Sequence, residues 1–162
     1  MRFQDSVALV TGGGSGLGRV LAHDFAAEGA AVVVADAVGQ RARAVAEEIS
    51  EAGGTSLAQA ADVTDAADVE SMVVAAREAF GPLDVLVNNA AKATDADFLD
   101  LNEEAWDDDV AVTLKGAFLC SQAALADMVE KGSGVILNIS SVNAVAYFGN
   151  ERTARPRPGF SA

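Results

Sequence analysis

Short apolar runs alternate with longer stretches of helical periodicity along most of this chain. Residues 6–10 and 31–36 are almost wholly apolar, which is typical of parallel strands that are buried on both faces. Apolar residues recur at helical spacing over 19–28 and again over 39–52. The order strand, helix, strand, helix predicts a parallel sheet with helices packed on its faces.

The same alternation continues through the rest of the chain. The predicted elements are, in order, a strand at 55–60, a helix that Asp65 caps and Gly81-Pro82 ends, a strand at 85–87, a polar loop at 95–101, a helical stretch at 102–131 and a strand at 134–141. On the long helical stretch, the apolar residues near one stripe are Val110, Leu114, Phe118, Leu125 and Val129. Trp106 lies near its start, and we interpret it as a packing residue. The pattern predicts one domain over 1–151, followed by a tail over 152–162.

The totals exclude several classes of protein. The chain has 162 residues, of which 51% are hydrophobic, enough for the core of one domain. It has no apolar run long enough to span a membrane and no N-terminal signal segment, so we expect a cytoplasmic protein without a membrane partner. One cysteine and one histidine exclude an internal disulfide and a metal cluster. The net charge of −13 argues against a nucleic-acid partner.

The most informative stretch is Thr-Gly-Gly-Gly-Ser-Gly-Leu-Gly at residues 11–18, between the first predicted strand and the first predicted helix. Backbone N–H groups at a helix N-terminus have no partner within the helix, and together with the helix dipole they favour an anion. Glycines allow a tight turn and let a ligand approach the backbone. Strand, glycine turn and helix therefore predict a pyrophosphate site, and the alternative is a glycine-rich turn without a ligand.

Asp36 ends the second predicted strand, 18 residues after Gly18. A carboxylate at this place accepts hydrogen bonds from the ribose of an adenosine and repels a 2′-phosphate. No Arg or Lys follows it directly, and Ser15 is not basic. The sequence therefore favours NAD over NADP. The alternative interpretation, that Asp36 caps the next helix, is compatible with both cofactors.

Three further short motifs follow at the ends of later strands. They are Asp62-Val63, Asn88-Asn89-Ala90-Ala91 and Ser140-Ser141. Together with the glycine spacing, which is G-x-x-x-G-x-G rather than G-x-G-x-x-G, they make residues 1–151 resemble the short-chain dehydrogenase/reductase family. The resemblance implies a Rossmann-type α/β fold, with a doubly wound parallel sheet in three αβα layers. It also implies a fold that is incomplete after the fifth strand, because the family's fold continues with further strands and helices.

The resemblance implies a cofactor site at the carboxyl ends of the strands. Its expected residues are Gly12, Ser15, Gly16, Leu17, Gly18, Asp36, Asp62, Val63, Asn89, Ala90 and Ala91. In this family the Asp of the Asp-Val pair bonds the adenine amino group, and small residues after the fourth strand let the ribose pass close to the backbone. The asparagines tie that loop to neighbouring strands. Ala91 stands where the family usually has glycine.

The activity that the resemblance implies is NAD-linked oxidation of a secondary alcohol, or the reverse reduction of a carbonyl compound. Ser141 is expected to hydrogen-bond the reacting oxygen, with Ser140 as the alternative. Thr113 stands where the family has an asparagine that holds a water of the proton relay, and a hydroxyl offers fewer donors than an amide. The long helix helps to form a dimer interface in this family, so we expect a homo-oligomer, either a dimer or a tetramer. Sugars, steroids, acyl carriers and small alcohols all stay open as substrates.

One family motif is missing from the sequence. The chemistry requires Tyr-x-x-x-Lys, in which the tyrosine transfers the hydroxyl proton and the lysine lowers its pKa. Tyr147 is the single tyrosine, Glu151 lies four residues beyond it, and no lysine follows Lys131. A carboxylate beside a phenol raises the phenol's pKa, so Tyr147 is rejected as the catalytic acid. We therefore expect no turnover. The alternatives are a dinucleotide-binding or scaffold protein without catalysis, and a fragment that neither folds fully nor binds.

The tail over 152–162 is rich in arginine and proline, which does not suit the helix expected there. We hypothesise that it is read in a shifted frame. With suitable codons, one base inserted after the codon of Glu151 turns the tail into Ala-Tyr-Ser-Ala-Ala-Lys and places the missing pair at the positions of Thr153 and Arg157. A sheet that stops after its fifth strand has an unprotected edge, from which we expect poor solubility or partial unfolding.

Overall fold

A computed structural model describes residues 1–97 and 99–141 of the protein. The strands are β1 (Val7–Thr11), β2 (Ala31–Asp36), β3 (Thr55–Ala60), β4 (Val85–Asn88) and β5 (Val135–Asn138). The helices are α1 (Gly16–Ala27), α2 (Gly39–Glu51), α3 (Ala66–Phe80), α4 (Glu103–Val110) and α5 (Gly116–Lys131), with a π-helical segment (Ala111–Lys115) joining the last two. Strand and helix alternate as the apolar pattern predicts.

The strands form one parallel sheet in the order β3-β2-β1-β4-β5. Leu9 on β1 lies opposite Val33 on β2 and Leu86 on β4. The chain moves outward from β1 to β3 and then returns to place β4 on the other side of β1, so the sheet is doubly wound. The predicted fold class is confirmed. The strand order reverses between β1 and β4, which is where sheets of this kind bind ligands.

Helices cover both faces of the sheet, because successive side chains of a strand point to opposite sides. Leu9 and Val33 belong to one core with residues of α3 and α5, whereas Val10 and Val34 belong to a second core with residues of α1 and α2. Every residue of β1 is buried, as its continuous apolar run predicts. The structure thus has the three predicted αβα layers.

Local chemistry sets several helix ends. The Oδ1 atom of Asp65 accepts hydrogen bonds from the backbone N–H groups of Ala67 at 2.7 Å and Asp68 at 3.2 Å, and so caps α3. Gly81 ends the same helix with a φ of 97°, and Gly53 follows α2 with a φ of 84°. Both φ values lie in the region that favours glycine. The predicted cap and the predicted helix ends are confirmed.

Strand β5 is shorter than predicted. It ends at Asn138, opposite Asn88, because β4 ends there and offers no further ladder partner. One additional hydrogen bond joins the N–H of Ile139 to the carbonyl of Asn88 at 2.9 Å. Ser140 and Ser141 therefore lie beyond the strand and not within it.

The long predicted helical stretch is present as α4, the π-helical segment and α5. It packs against the sheet through buried residues that include Cys120 and Met128. The apolar stripe lies away from this core, since Leu114 is 69% exposed and Phe118 is 60% exposed. Trp106 is 55% exposed, so its interpretation as a packing residue is wrong. It lies on α4, which has no buried residue and therefore offers the ring no core to enter.

Among the described residues, β5 lies at one edge of the sheet and β3 at the other. Val135 and Leu137 on β5 are about half exposed, so the described part of the chain covers the faces of this strand only partly. No helix in the described ranges has both the length and the apolar character needed to cross a membrane. Tyr147, Glu151 and residues 152–162 lie outside the described residues, so what the sequence predicts for them stays a prediction.

Candidate functional site

A cleft of about 460 Å³ opens at the carboxyl ends of β1, β2 and β4, where the strand order reverses. Its walls include most of the predicted cofactor residues. These are Gly12, Ser15, Gly16, Leu17, Asp36, Asp62, Val63, Asn89, Ala90 and Ala91. The predicted residues Gly18, Thr113 and Ser141 do not line it.

The turn after β1 touches the loop after β4. Gly12 has a φ of 61°, and a Cβ placed on it would lie 3.0 Å from the Cα of Ala90 and 3.1 Å from the Nδ2 of Asn89. Gly16 has a φ of 50°, and a Cβ placed there would meet no heavy atom within 4 Å, so this side of the turn is open. Backbone conformation favours glycine at both positions, and close approach requires it at Gly12 as well.

Gly18 lies behind the turn. It is buried in the first turn of α1, and a Cβ on it would lie 2.2 Å from the carbonyl oxygen of Gly12 and 2.5 Å from the Nδ2 of Asn89. The missing side chain lets α1 begin directly against the turn. Gly18 therefore shapes the site through packing, although the sequence pattern predicts it as a cofactor contact.

The N-terminus of α1 opens at the cleft. Ser15 is the N-cap residue, its backbone is extended, and its side chain makes no capping hydrogen bond. The first turn of the helix contains no acidic residue. Its leading N–H groups therefore have no side-chain cap, and together with the helix dipole they suit an anion. The residues present fit the pyrophosphate of a dinucleotide.

Thr11 joins the ends of β1 and β4. Its buried hydroxyl oxygen accepts hydrogen bonds from the N–H groups of Asn89 at 3.0 Å and Ala90 at 3.1 Å, and its O–H donates to the carbonyl of Val87 at 3.2 Å. The side-chain amide of Asn89 donates to the carbonyls of Thr11 at 3.0 Å and Gly12 at 3.2 Å. The predicted tie between this loop and its neighbouring strand is confirmed. The structure adds the role of Thr11, for which the sequence signal is its place at the head of the glycine motif.

Asn88 makes the second tie. Its Nδ2 donates to the Oδ1 of Asn138 on β5 at 2.8 Å and to the Oγ of Ser121 on α5 at 3.0 Å. The side chain is buried between these elements, so the ends of β4 and β5 are held at one level against α5. Ser141 follows three residues after Asn138.

The carboxylate of Asp36 is buried at the end of β2 and holds two turns together. Its Oδ2 accepts a hydrogen bond from the N–H of Gly14 at 3.1 Å, and its Oδ1 accepts one from the N–H of Val38 at 2.9 Å. The N-cap of α2 is Val38, which makes no side-chain cap. The alternative in which Asp36 caps α2 is therefore wrong. Because a carboxylate can accept about four hydrogen bonds, capacity for ribose hydroxyls remains.

Asp62 and Val63 form the wall that continues from β3. Asp62 is exposed, and its Oδ1 accepts hydrogen bonds from the N–H of Thr64 at 2.9 Å and from its hydroxyl at 2.8 Å. Val63 is buried, and a Cβ on Gly116 would lie 2.6 Å from its Cγ2, so α5 begins close against it. The pair thus combines a polar group at the cleft with an apolar contact that anchors the wall.

Arg41 also lines the cleft, and sequence reasoning missed it. It lies in the first turn of α2, five residues beyond Asp36. The prediction from sequence considers only basic residues directly after Asp36 and therefore does not include it. A Cβ placed on Gly14 would lie 2.5 Å from the Cβ of Arg41 and 2.8 Å from the Oδ2 of Asp36. The available signal was the start of a helix at Gly39, which turns this side chain back toward the end of β2.

An ion pair ties α1 to α2 beside the cleft. The Nε of Arg19 donates to the Oε2 of Glu48 at 2.8 Å, and the Nε2 of His23 lies 3.0 Å from the same oxygen. The hydrogen bond from Arg19, followed by that from His23, lowers the pKa of Glu48. This arrangement commits the guanidinium of Arg19 to α2.

Thr113 lies in the π-helical segment and is bound to the loop after β4. Its hydroxyl donates to the carbonyl of Lys92 and accepts from the N–H of the same residue, both at 3.2 Å. The ammonium of Lys92 donates to the Oδ2 of Asp108 at 2.7 Å, which raises the pKa of Lys92. The hydroxyl hydrogen of Thr113 is thus committed to the protein, and one oxygen lone pair is left for a water. Ser140 and Ser141 are exposed.

Comparison with known proteins gives consistent matches. A family model described as short chain dehydrogenase matches residues 6–152. The chain is 43% identical over 141 residues to the (2S)-[(R)-hydroxy(phenyl)methyl]succinyl-CoA dehydrogenase subunit BbsD of Thauera aromatica, covering 87% of this chain and 57% of that protein. It is 44% identical over 136 residues to the 3-oxoacyl-[acyl-carrier-protein] reductase FabG of Staphylococcus aureus, covering 83% of this chain and 55% of that protein.

A third relative is the L-rhamnose 1-dehydrogenase (NAD(P)(+)) of Azotobacter vinelandii, which is 41% identical over 146 residues, covering 87% of this chain and 57% of that protein. The chain therefore spans somewhat more than half the length of the curated relatives it matches. The family model matches nearly the full length of this chain. The matched residues include the hydrogen-bonded ends of β1, β4 and β5 and every residue that lines the cleft. The chain belongs to the short-chain dehydrogenase/reductase family.

Proposed function

We propose that this chain binds a nicotinamide adenine dinucleotide and is the dinucleotide-binding portion of an oxidoreductase. The enzyme interconverts a secondary alcohol and a carbonyl compound by hydride transfer. The observation that carries the proposal is the uncapped N-terminus of α1 at a cleft between β1 and β4. Anions bind at such helix ends, and dinucleotides bind at such reversals of strand order. The dehydrogenases and reductases among the relatives support the same class of reaction.

NAD is the cofactor that Asp36 favours. The carboxylate lines the cleft at the end of β2 and is buried, so its negative charge is poorly screened. It offers acceptors to ribose hydroxyls and repels a 2′-phosphate. Asp62 and Val63 would border the adenine, and Ala90 and Ala91 would let the nicotinamide ribose approach the backbone, as in the family.

The nicotinamide ring supplies the hydride acceptor or donor, and the protein's part is to bind, orient and handle the proton. Ser141 is proposed to hydrogen-bond the reacting oxygen. Thr113 is proposed to hold a water through its remaining lone pair, while its bonds to Lys92 position the loop after β4. Neither residue lines the cleft proposed for the dinucleotide, so their proposed roles concern the substrate and the proton.

The proton donor is the part that the sequence does not supply. The 162 residues contain one tyrosine, Tyr147, and no lysine after Lys131. We propose that the chain as written binds the dinucleotide without turnover. In the first candidate function the tail is frameshifted and the parent protein is an active dehydrogenase. The second candidate function is a dinucleotide-binding or scaffold protein without catalysis, whose tail is genuinely encoded, and the missing Tyr-x-x-x-Lys pair favours it. Sequencing the gene across codons 141–162 distinguishes the two candidates. One additional base found in this region would restore the Tyr-x-x-x-Lys pair, whereas a confirmed reading frame would not.

We further propose that a second copy of the chain packs on the apolar stripe. Leu114, Phe118 and Val129 are each at least 60% exposed and lie along one helical stretch. Exposed apolar area of this kind on a surface is typical of an interface. A homo-oligomer is also what the family resemblance implies.

Titration with NADH, followed by its fluorescence, tests the binding proposal. The informative variant is Leu17→Glu, because Leu17 lines the cleft at the N-terminus of α1 and is 53% exposed. The new carboxylate repels a pyrophosphate, yet a negative charge in the first turn of a helix favours folding. We expect binding to weaken by about tenfold or more while the melting temperature stays the same or rises slightly.

Val20→Glu is the matched control, since Val20 lies on the same helix, is 52% exposed and does not line the cleft. It is expected to bind NADH like the unmodified chain. The proposal fails if the unmodified chain does not bind NADH, or if Leu17→Glu and Val20→Glu weaken binding equally.

A further inference from the structure

The π-helical segment contacts two different walls of the cleft. On one side, the hydroxyl of Thr113 exchanges hydrogen bonds at 3.2 Å with the backbone of Lys92, in the loop after β4. On the other side, the Nζ of Lys115 donates to the carbonyl of Thr64 at 3.0 Å, in the turn after β3. Val112 of the same segment lines the cleft itself. A π-helical turn within a longer helix is rare and is frequent at functional sites.

The turn that Lys115 binds is the one that carries Asp62. The Oδ1 of Asp62 accepts hydrogen bonds from the N–H of Thr64 at 2.9 Å and from its hydroxyl at 2.8 Å. The N–H of Asp62 donates to the Oδ2 of Asp68 at 3.0 Å. These bonds join residues close in sequence, so they set the shape of the turn. The bond from Lys115 comes from an element 51 residues away, so it sets where the turn lies.

Packing holds the neighbouring residue but not the carboxylate. Val63 is 7% exposed, and a Cβ placed on Gly116 would lie 2.6 Å from its Cγ2. This contact anchors Val63 against the start of α5. Asp62 is exposed and gains no such anchor from packing, so its place at the cleft depends on hydrogen bonds to the turn.

We propose that Lys115 is a positioning residue of the proposed cofactor site: by holding the carbonyl of Thr64, it fixes the turn in which Asp62 faces the adenine. The inference rests on the proposed dinucleotide function. Lys115 does not line the cleft, so it acts through the turn and not by touching the nucleotide. Because Thr113 holds the loop after β4 from the same segment, one short helical turn sets the spacing of both walls.

The test is fluorescence titration of the full chain with NADH, followed by displacement of NADH with adenosine. Adenosine carries no charge, so its affinity does not respond to attraction between an ammonium and the phosphates. Lys115→Met is expected to weaken binding of both ligands by the same factor of about five, because one hydrogen bond to the turn is lost. Lys115→Arg can still donate to the carbonyl and is expected to restore most of the affinity. Melting temperatures establish that each variant folds.

Lys131→Met is the matched control, because Lys131 lies at the far end of α5, pairs with Asp84 and does not line the cleft. It is expected to leave both affinities unchanged, although it also removes a cation and its contact. The proposal is overturned if adenosine does not displace NADH, if Lys115→Met binds both ligands normally or weakens NADH alone, or if Lys131→Met has the same effect. Failure of the unmodified chain to bind NADH overturns the proposed function itself, and this inference with it.

Discussion

Asn89 donates two hydrogen bonds to Thr11, one from its backbone and one from its side chain. The N–H of Asn89 donates to the hydroxyl oxygen of Thr11 at 3.0 Å, and the side-chain amide of Asn89 donates to the carbonyl of Thr11 at 3.0 Å. Thr11 ends β1 and Asn89 directly follows β4, so this pair joins the two strands at the point where the strand order reverses. The glycine turn and the loop on the opposite wall are thereby fixed as one unit.

Replacing Thr11 with valine tests how much this pair contributes. Thr11→Val keeps the side-chain shape but leaves the N–H groups of Asn89 and Ala90 without their acceptor. We expect the free energy of unfolding to fall by about 1 kcal/mol, because the donors left unpaired are partly buried. Urea denaturation measures it. Thr55→Val on the exposed surface of β3 is the control, and an equal loss in both variants would contradict the assigned role.

The ion pair between Arg77 and Asp127 is expected to stabilise the fold from the opposite end of the sheet. An Nη of Arg77 lies 2.6 Å from the Oδ1 of Asp127, whose carboxylate is 6% exposed and also accepts from the N–H of Leu83 at 3.4 Å. Asp127→Asn should lower the free energy of unfolding by about 2 kcal/mol, because charge-assisted bonds are lost at a buried site. Glu28→Gln removes the exposed pair with Arg2 and should change little. A loss in Glu28→Gln as large as in Asp127→Asn would count against burial as the cause.

Cys120 is expected to make stability fall at high pH. Burial raises the pKa of its thiol from 9.0 to about 11. A group whose pKa is raised on folding stabilises the protein fully below its unfolded pKa, and that stability is lost as the pH rises through the folded value. Between about pH 9 and pH 11, the unmodified chain should therefore lose more stability than Cys120→Ala, as urea denaturation at each pH can measure. Parallel pH dependence of the two proteins would refute the assignment.

The exposed stripe on α5 leads to a prediction about assembly. Phe118 is 60% exposed, so Phe118→Lys should leave the fold of a single copy intact while placing a charge in the proposed interface. We expect the unmodified chain to sediment as an oligomer and Phe118→Lys as a monomer. Val20→Lys, which alters an equally apolar but separate position on α1, should sediment like the unmodified chain. A monomeric unmodified chain would remove the proposed interface.

Much of this fold follows from local sequence chemistry. The bounds of β2 agree with the apolar run at 31–36, because a buried parallel strand needs continuous apolar residues. Strand β3 also has the predicted bounds 55–60, although its residues are only partly buried or exposed. The cap at Asp65 and the helix end at Gly81 agree as well, because they depend on side-chain reach and on backbone φ within a few residues. The wall residues of the cleft could be predicted because they follow strands whose carboxyl ends meet at one edge of a parallel sheet.

Contacts between distant segments could not be predicted in this way. Gly18 is a packing position because α1 meets the turn at Gly12, and Arg41 enters the cleft because α2 turns back beside Gly14. Trp106 is exposed because α4 has no core beneath it. Apolar periodicity shows which residues share a helix face but not which surface that face meets. The spacing of glycines, carboxylates and asparagines along the chain therefore predicts a dinucleotide site, whereas long-range packing decided which side chains line the cleft and which support it from behind.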